Sequence, residues 1–167
     1  MNEESRPLTD ILSPDAIARI DAWIAKFPAD RKRAAVLSAL RIAQEENDNY
    51  LSEPVMKAVA DYLEIPRIAV YEVATFYTMF NLEKPGRHVV SLCTNVSCML
   101  AGSDRLLQVF REQYGIGPGE TSADGRITLK EVECMAACGG APMCEVGRQY
   151  HENLTPDTLT TLLEGLD

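Results

Sequence analysis

His88-Val89-Val90-Ser91-Leu92-Cys93-Thr94-Asn95-Val96-Ser97-Cys98 runs from a β-branched segment into two cysteines separated by four residues. The first six residues read as a strand, because such a run suits a pleated, half-buried surface. After thirty-five intervening residues the arrangement recurs. Residues 127–134 carry Ile127, Leu129 and Val132 in a strand-like pattern, end in Cys134, and are followed after three residues by Cys138. Each cysteine pair therefore sits just beyond a predicted strand, in a loop where thiolates can project together past a sheet edge.

The flanking segments complete a small domain. Residues 103–114 place Leu106, Leu107 and Phe110 at helical spacing, with Ser103-Asp104 able to cap the helix. Residues 115–125 read as a loop ending in an Asp124-Gly125 turn. Beyond Cys138, residues 142–146 and 149–150 read as two short strands with Gly147 at the turn, and Leu154-Thr155-Pro156-Asp157 opens a last helix through Leu159, Leu162 and Leu163. The order β-α-β-β-α is that of a thioredoxin-like sandwich.

The chain before it reads as helices. Ser13-Pro14-Asp15 supplies an N-cap, a proline in the first turn and an acid there, followed by Ile17, Ile20, Ile24 and Phe27 at helical spacing. Asp30 can cap a second helix over 31–46, and Ser52-Glu53-Pro54 opens a third with Val55, Met56, Val59, Tyr62 and Leu63. Ile65-Pro66 starts a fourth, whose Val70, Val73, Ala74, Tyr77 and Phe80 make a wide apolar stripe. The turn-rich Glu83-Lys84-Pro85-Gly86 marks a boundary. The expected architecture is α+β: a helical bundle over 1–85, then a thioredoxin-like domain over 86–167.

Composition limits the function. The 167 residues hold 16 basic and 25 acidic side chains, a net charge of −9, and the acidic excess is spread over both halves. Nucleic acid is a poor partner for such a chain, since phosphate contacts need clustered basic groups. Residues 68–80, the longest apolar candidate, are interrupted by Glu72 and fall short of a membrane span. The first residues, MNEESRPLTD, have neither a basic nor an apolar signal region. The expectation is a cytoplasmic chain, or one peripheral to a larger assembly, without membrane insertion.

Five cysteines, all after residue 92, argue against a disulfide framework and for a metal site. Cys93, Cys98, Cys134 and Cys138 offer four thiolates, and soft sulfur ligands select zinc or iron–sulfur clusters. Spacing leaves zinc open. The small, uncharged loops favour iron and sulfur, with Gly139-Gly140 letting backbone amides approach an anionic centre. Thiol–disulfide exchange wants C-x-x-C at a helix start, which neither pair has. Cys144 lies within a predicted strand and reads as core, His88 as a strand surface residue, and His151 as part of a turn. Gly115-x-Gly117-Pro118-Gly119 precedes no predicted helix and lacks dinucleotide spacing, so it reads as a plain turn.

Cys93-Thr94-Asn95-x-x-Cys98-x-Leu100-x-Gly102 resembles the first signature of the E-subunit family of NADH:quinone oxidoreductase, the respiratory complex I. The resemblance continues through Ile65-Pro66, Val73-Ala74-Thr75-Phe76-Tyr77, Gly86-Arg87-His88, Asp124-Gly125-x-x-Thr128-Leu129, Ala141-Pro142-Met143 and Leu154-Thr155-Pro156. Only the first dozen residues lie outside it. Met135-Ala136 stands where the family usually has Leu-Gly, and a family Asn is replaced around Gly147. The resemblance implies one [2Fe–2S] cluster on Cys93, Cys98, Cys134 and Cys138. It also implies a flavoprotein partner that binds NADH and FMN, single-electron transfer from that FMN, and no NADH oxidation by this chain alone. Members of the same family serve NAD-dependent formate dehydrogenases and NAD-reducing hydrogenases. The competing class is a zinc-stabilised, non-redox scaffold domain built on the same cysteines.

Overall fold

The computed structural model describes residues 6–166. They divide between Lys84 and Pro85 into two compact units, each with its own core.

The first unit is helical: α1 Pro14–Ile24, α2 Val36–Glu46, α3 Glu53–Leu63 and α4 Arg67–Phe76. Ser13 caps α1 as expected, its hydroxyl accepting from Ala16 N at 3.2 Å. The second helix starts later than expected. Residues Ala29–Ala35 form a 3-10 stretch in which Arg31 leaves helical geometry, and Asp30 makes no capping bond. Lys32 and Arg33 in this stretch reach sideways to Glu64 and Glu72, so the charges tie the turn to neighbouring helices. Helix α4 also stops short, because Tyr77 turns extended. Gln44 holds the outgoing backbone: its amide donates to Met79 O at 3.2 Å and accepts from Asn81 N at 2.8 Å. Phe80 is thereby buried from a loop rather than a helix, while Phe76 is 77% exposed. Leu8, Ile20, Leu40, Leu51 and Leu63 fill the centre of this unit, each worth roughly 1.5–3 kcal/mol of transfer free energy.

The second unit contains β1 His88–Cys93, α5 Val96–Leu100, α6 Ser103–Val109, β2 Ile127–Val132, β3 Cys144–Val146, β4 Gln149–His151 and α7 Pro156–Glu164. Its sheet runs β2-β1-β3-β4, with β1 and β2 parallel and the other pairs antiparallel. Val90 and Leu92 of β1 share a core with Ile127 and Leu129 of β2, Leu106 and Phe110 from the α6 segment, and Leu159 and Leu163 of α7.

Gly147 and Arg148, both at positive φ, form the two-residue turn between β3 and β4, the hairpin geometry that matches strand twist. His151 is the last residue of β4 rather than part of a turn. The expected 103–114 helix is α-helical to Val109 and π-helical over Phe110–Tyr114. Ser103 does not cap it: Gly102 occupies that position with φ +106, and the Ser103 hydroxyl is buried without a partner. Thr155 and Thr158 close a reciprocal capping box on α7. Among the described residues no helix is long and apolar enough to cross a membrane.

Candidate metal centre

The parallel pairing of β1 with β2 decides where the cysteines meet. Cys93, the last residue of β1, lies opposite Val132, the last residue of β2. Both chains leave the sheet at one edge, so the two cysteine-bearing segments start side by side. Thr94 N donates to Val132 O at 3.1 Å, carrying the ladder one step further, and Thr94 Oγ1 donates to Glu131 Oε1 at 2.7 Å. From the other side Cys93 N donates to Met143 O at 3.2 Å, just before β3.

Cys98 sits on a helix, not in the loop expected from sequence. The Asn95 side chain accepts from Val96 N at 2.7 Å and starts α5, a single turn that carries Cys98. Cys93 and Cys98 are both buried, and with Met143 they form a small apolar cluster flanked by Val132, Met135, Ala137 and Ala141. Burial first, then its hydrogen bond with Cys93 and the nearby Cys93 and Cys138 thiols, push the Cys98 thiol up to about 11 against the opposing Met143 backbone. The Cys93 thiol donates to Glu133 O at 3.6 Å. Ionising several such thiols together is unfavourable unless a cation compensates them, which is the situation a metal creates.

Cys134 and Cys138 are exposed. Ala136 N donates to Cys134 Sγ at 3.3 Å, and the carbonyl of the same peptide unit, Met135 O, accepts from the Tyr150 hydroxyl at 3.1 Å. Ala136 is a non-glycine residue at φ +59, in the left-handed region. The two glycines after Cys138 play different parts. A Cβ on Gly139 would meet nothing within 4 Å, whereas one on Gly140 would lie 2.5–2.8 Å from three Glu152 side-chain atoms. Gly140 N is already committed to Ala137 O at 3.0 Å. Only Gly139 has the open approach expected of both.

The donor set fits an iron–sulfur centre. Cys98 is within electrostatic reach of both Cys93 and Cys138, and Cys134 opens the short segment that Cys138 closes. Among the described residues no three His, Cys, Asp or Glu side chains converge to hold one metal ion. A two-iron centre takes two thiolates on each iron, which is the donor chemistry that two cysteine pairs offer.

The remaining candidates lie elsewhere. Cys144 is fully buried in the sheet core opposite Leu92, and burial pushes its thiol up to about 12. His88 begins β1, at the opposite end of the strand from Cys93, and His151 lies opposite Cys144. Sequence reasoning missed the Thr94–Glu131 bond and the Tyr150 contact.

A thioredoxin-like sheet with two thiol-bearing segments at one edge, neither of them C-x-x-C, suits an iron–sulfur carrier better than a disulfide exchanger. The chain belongs to the thioredoxin-like [2Fe-2S] ferredoxin family, whose sequence profile matches residues 20–167. Among its relatives are the NADH-quinone oxidoreductase E 2 subunit of Rhizobium meliloti (strain 1021), 49% identical over 145 residues, and the NADH-quinone oxidoreductase E subunit of Rickettsia bellii (strain RML369-C), 40% identical over 143 residues. The first alignment covers 87% of this chain and 84% of the relative, the second 86% of each. The fold is similar to an NAD+-reducing [NiFe]-hydrogenase crystallised in the air-oxidized state, with a TM-score of 0.68 at 21% identity. That match covers 78% of this chain but only 22% of the hydrogenase chain.

Proposed function

We propose that this chain is the iron–sulfur subunit of an NADH-quinone oxidoreductase, holding one [2Fe–2S] cluster on Cys93, Cys98, Cys134 and Cys138. The observation that carries this reading is the register of β1 on β2, which brings both thiol pairs to one sheet edge. Relatives named as the E subunit of that enzyme, matched along most of their length, support it. When bound, the cluster supplies a store for one electron at a time. The residues of this chain hold, shield and expose it. Cys93 and Cys98, closed in by Met143, keep water from the inner side, and the exposed Cys134 and Cys138 form the side open to a partner. Ala136 N–H offers a hydrogen bond to sulfur.

The partner is a flavoprotein subunit that binds NADH and FMN. A hydride brings two electrons, and a one-electron carrier needs a flavin between itself and that hydride. The chain reaches the membrane only through the complex it joins.

The test begins with anaerobic reconstitution of the full chain with iron and sulfide, and in parallel with zinc. A reddish-brown product with two irons and two sulfides per chain, and an EPR signal after chemical reduction, supports the reading. Preferential, stoichiometric zinc and a colourless protein refute it in favour of a scaffold. NADH alone should not reduce the reconstituted chain, while NADH with the flavoprotein partner should. Oxidation of NADH by a preparation free of partner would overturn the carrier role.

A further inference from the structure

We propose that Tyr150 is a positioning residue for the centre: its hydroxyl holds the Met135–Ala136 peptide so that the Ala136 N–H faces Cys134 Sγ, and so sets how readily the centre is reduced. The inference rests on the reading of Cys134 as a ligand.

One peptide unit is gripped at both ends. Met135 O accepts from Tyr150 Oη at 3.1 Å, and Ala136 N donates to Cys134 Sγ at 3.3 Å. A peptide is planar, with its carbonyl and N–H fixed on opposite sides, so fixing one fixes the other. The conformation held in this way is not the one Ala136 prefers. At φ +59 its Cβ crowds the backbone, a cost that glycine does not bear. Rotation of the whole Met135–Ala136 peptide would move Ala136 out of the left-handed region and turn its N–H away from the sulfur. Among the described contacts of this peptide, the Tyr150 hydroxyl is the group that opposes that rotation from outside the loop. It comes from β4, where Tyr150 pairs with Glu145, so a sheet strand braces a loop that carries two cysteines.

The consequence is electronic. Reduction adds negative charge to the cluster and its sulfurs, and N–H donors to those sulfurs raise the potential. Tyr150 is half exposed, so its hydroxyl competes with water and contributes little to folding, while its orienting effect acts directly on a ligand.

The experiment compares the reconstituted full chain with Tyr150→Phe, Ala136→Gly and the double variant, by redox titration and by the coupling of exchangeable protons in the EPR of the reduced state. Tyr150→Phe keeps the ring and removes only the hydroxyl. Its reduction equilibrium should weaken by up to tenfold, a fall of about 59 mV for a one-electron couple. One exchangeable-proton coupling should be lost with it. Ala136→Gly alone should leave the potential in place. In the double variant the potential should return toward that of the parent, because glycine accepts the left-handed conformation without a drive to rotate.

An unchanged potential in Tyr150→Phe overturns the proposal. So does an equal fall in the single and double variants, since the hydroxyl would then act through its own dipole and not through the peptide. If Tyr150→Phe does not retain iron, exchange of the Ala136 amide in the metal-free full chain decides the question. Faster exchange in Tyr150→Phe, reversed in the double variant, supports the proposal; unaltered exchange overturns it. Failure of the parent chain to take up iron and sulfide would sink the ligand assignment itself, a separate result from any difference among these variants.

Discussion

Gly140→Ala should destabilise the second unit and displace the Cys138 segment, although the adjacent Gly139→Ala should do neither. The new Cβ at 140 would lie 2.5 Å from Glu152 Cδ, 2.8 Å from Cγ and 2.6 Å from Cβ. Carbon atoms pack at about 3.5–4.0 Å, so each of these contacts is about an ångström too close. Cδ and Cγ can swing aside, but Glu152 Cβ is fixed to the backbone and cannot. Residue 140 cannot retreat freely either, because its N–H is bonded to Ala137 O at 3.0 Å and its carbonyl accepts from Asn153 N at 2.7 Å. Overpacking of this kind costs about 1–3 kcal/mol, and the backbone component places the value in the upper part of that range. Replacing glycine returns about 0.4–1 kcal/mol through the unfolded chain. The net is a loss of about 1–2 kcal/mol. Denaturant titration of the metal-free chain, followed through amide signals of β1 and β2, reads this unit alone. Gly139→Ala, with nothing within 4 Å and no left-handed φ, should stay within about 0.5 kcal/mol of the parent. Combining Gly140→Ala with Glu152→Gly should recover most of the loss, since it removes the one atom that cannot move. Equal losses at 139 and 140, or no recovery in the pair, would refute the packing argument. A Gly139→Ala protein of normal stability that takes up less iron would assign the open space at Gly139 to the cluster.

Three further outcomes follow from the site and the cores. Replacing any one of Cys93, Cys98, Cys134 or Cys138 with Ala should abolish the [2Fe–2S] content measured by iron and sulfide analysis; Cys144→Ala, in the separate sheet core, should leave it unchanged. With a net charge of −9 and no Lys or Arg between the cysteines of either pair, the midpoint potential should lie near the plant-type value of roughly −400 mV or somewhat above it. A titration placing it above zero would contradict that. In the helical unit, burial and then the 2.7 Å bond to Asp21 push the Tyr62 hydroxyl from 10.0 up to about 12. The folded state thus holds this proton more tightly than the unfolded one, so the associated stability is complete below pH 10 and is lost as pH rises through about 12. Unfolding midpoints measured across that window should fall more steeply for the parent than for Tyr62→Phe.

The elements legible in the sequence are those whose determinants are local. Ser13-Pro14 and Thr155-Pro156 carry their caps within three residues, and both helices begin at those prolines. The β1 and β2 runs declare themselves by β-branched and alternating residues. Departures occur where a distant partner decides. Residues 31–35 have helix-forming composition, yet Lys32 and Arg33 are drawn to Glu64 and Glu72, more than thirty residues away. The stripe through Tyr77 and Phe80 keeps helical spacing past the end of α4, because Gln44 captures the Met79 and Asn81 backbone there. Asn95 reads as part of a loop in the sequence, since a single helical turn is too short to leave a periodic signature, although its side chain is what starts α5.

The candidate ligands are legible for a different reason. Two cysteine pairs, each after a strand, need only the parallel register to start side by side, and that register follows from burying Val90 and Leu92 on the same core as Ile127 and Leu129. A slip of one residue would turn those side chains to the opposite face and move Val132 away from Cys93. The hydrophobic pattern that builds the sheet therefore also sets the two cysteine-bearing segments side by side. The groups around them obey no such rule. Tyr150 reaches Met135 from fifteen residues away, and Glu152 excludes a Cβ at Gly140 from twelve, both through side-chain geometry on the β4 side of the sheet. Neither contact leaves a periodicity or a motif. What the sequence does carry is the residue that each contact permits: glycine at 140, where a Cβ has no room, and alanine at 136, where a left-handed backbone is held from outside. Strain at Ala136 can persist only while something over-determines the loop, and among the described contacts the Tyr150 hydroxyl and the Cys134 sulfur grip this peptide at its two ends.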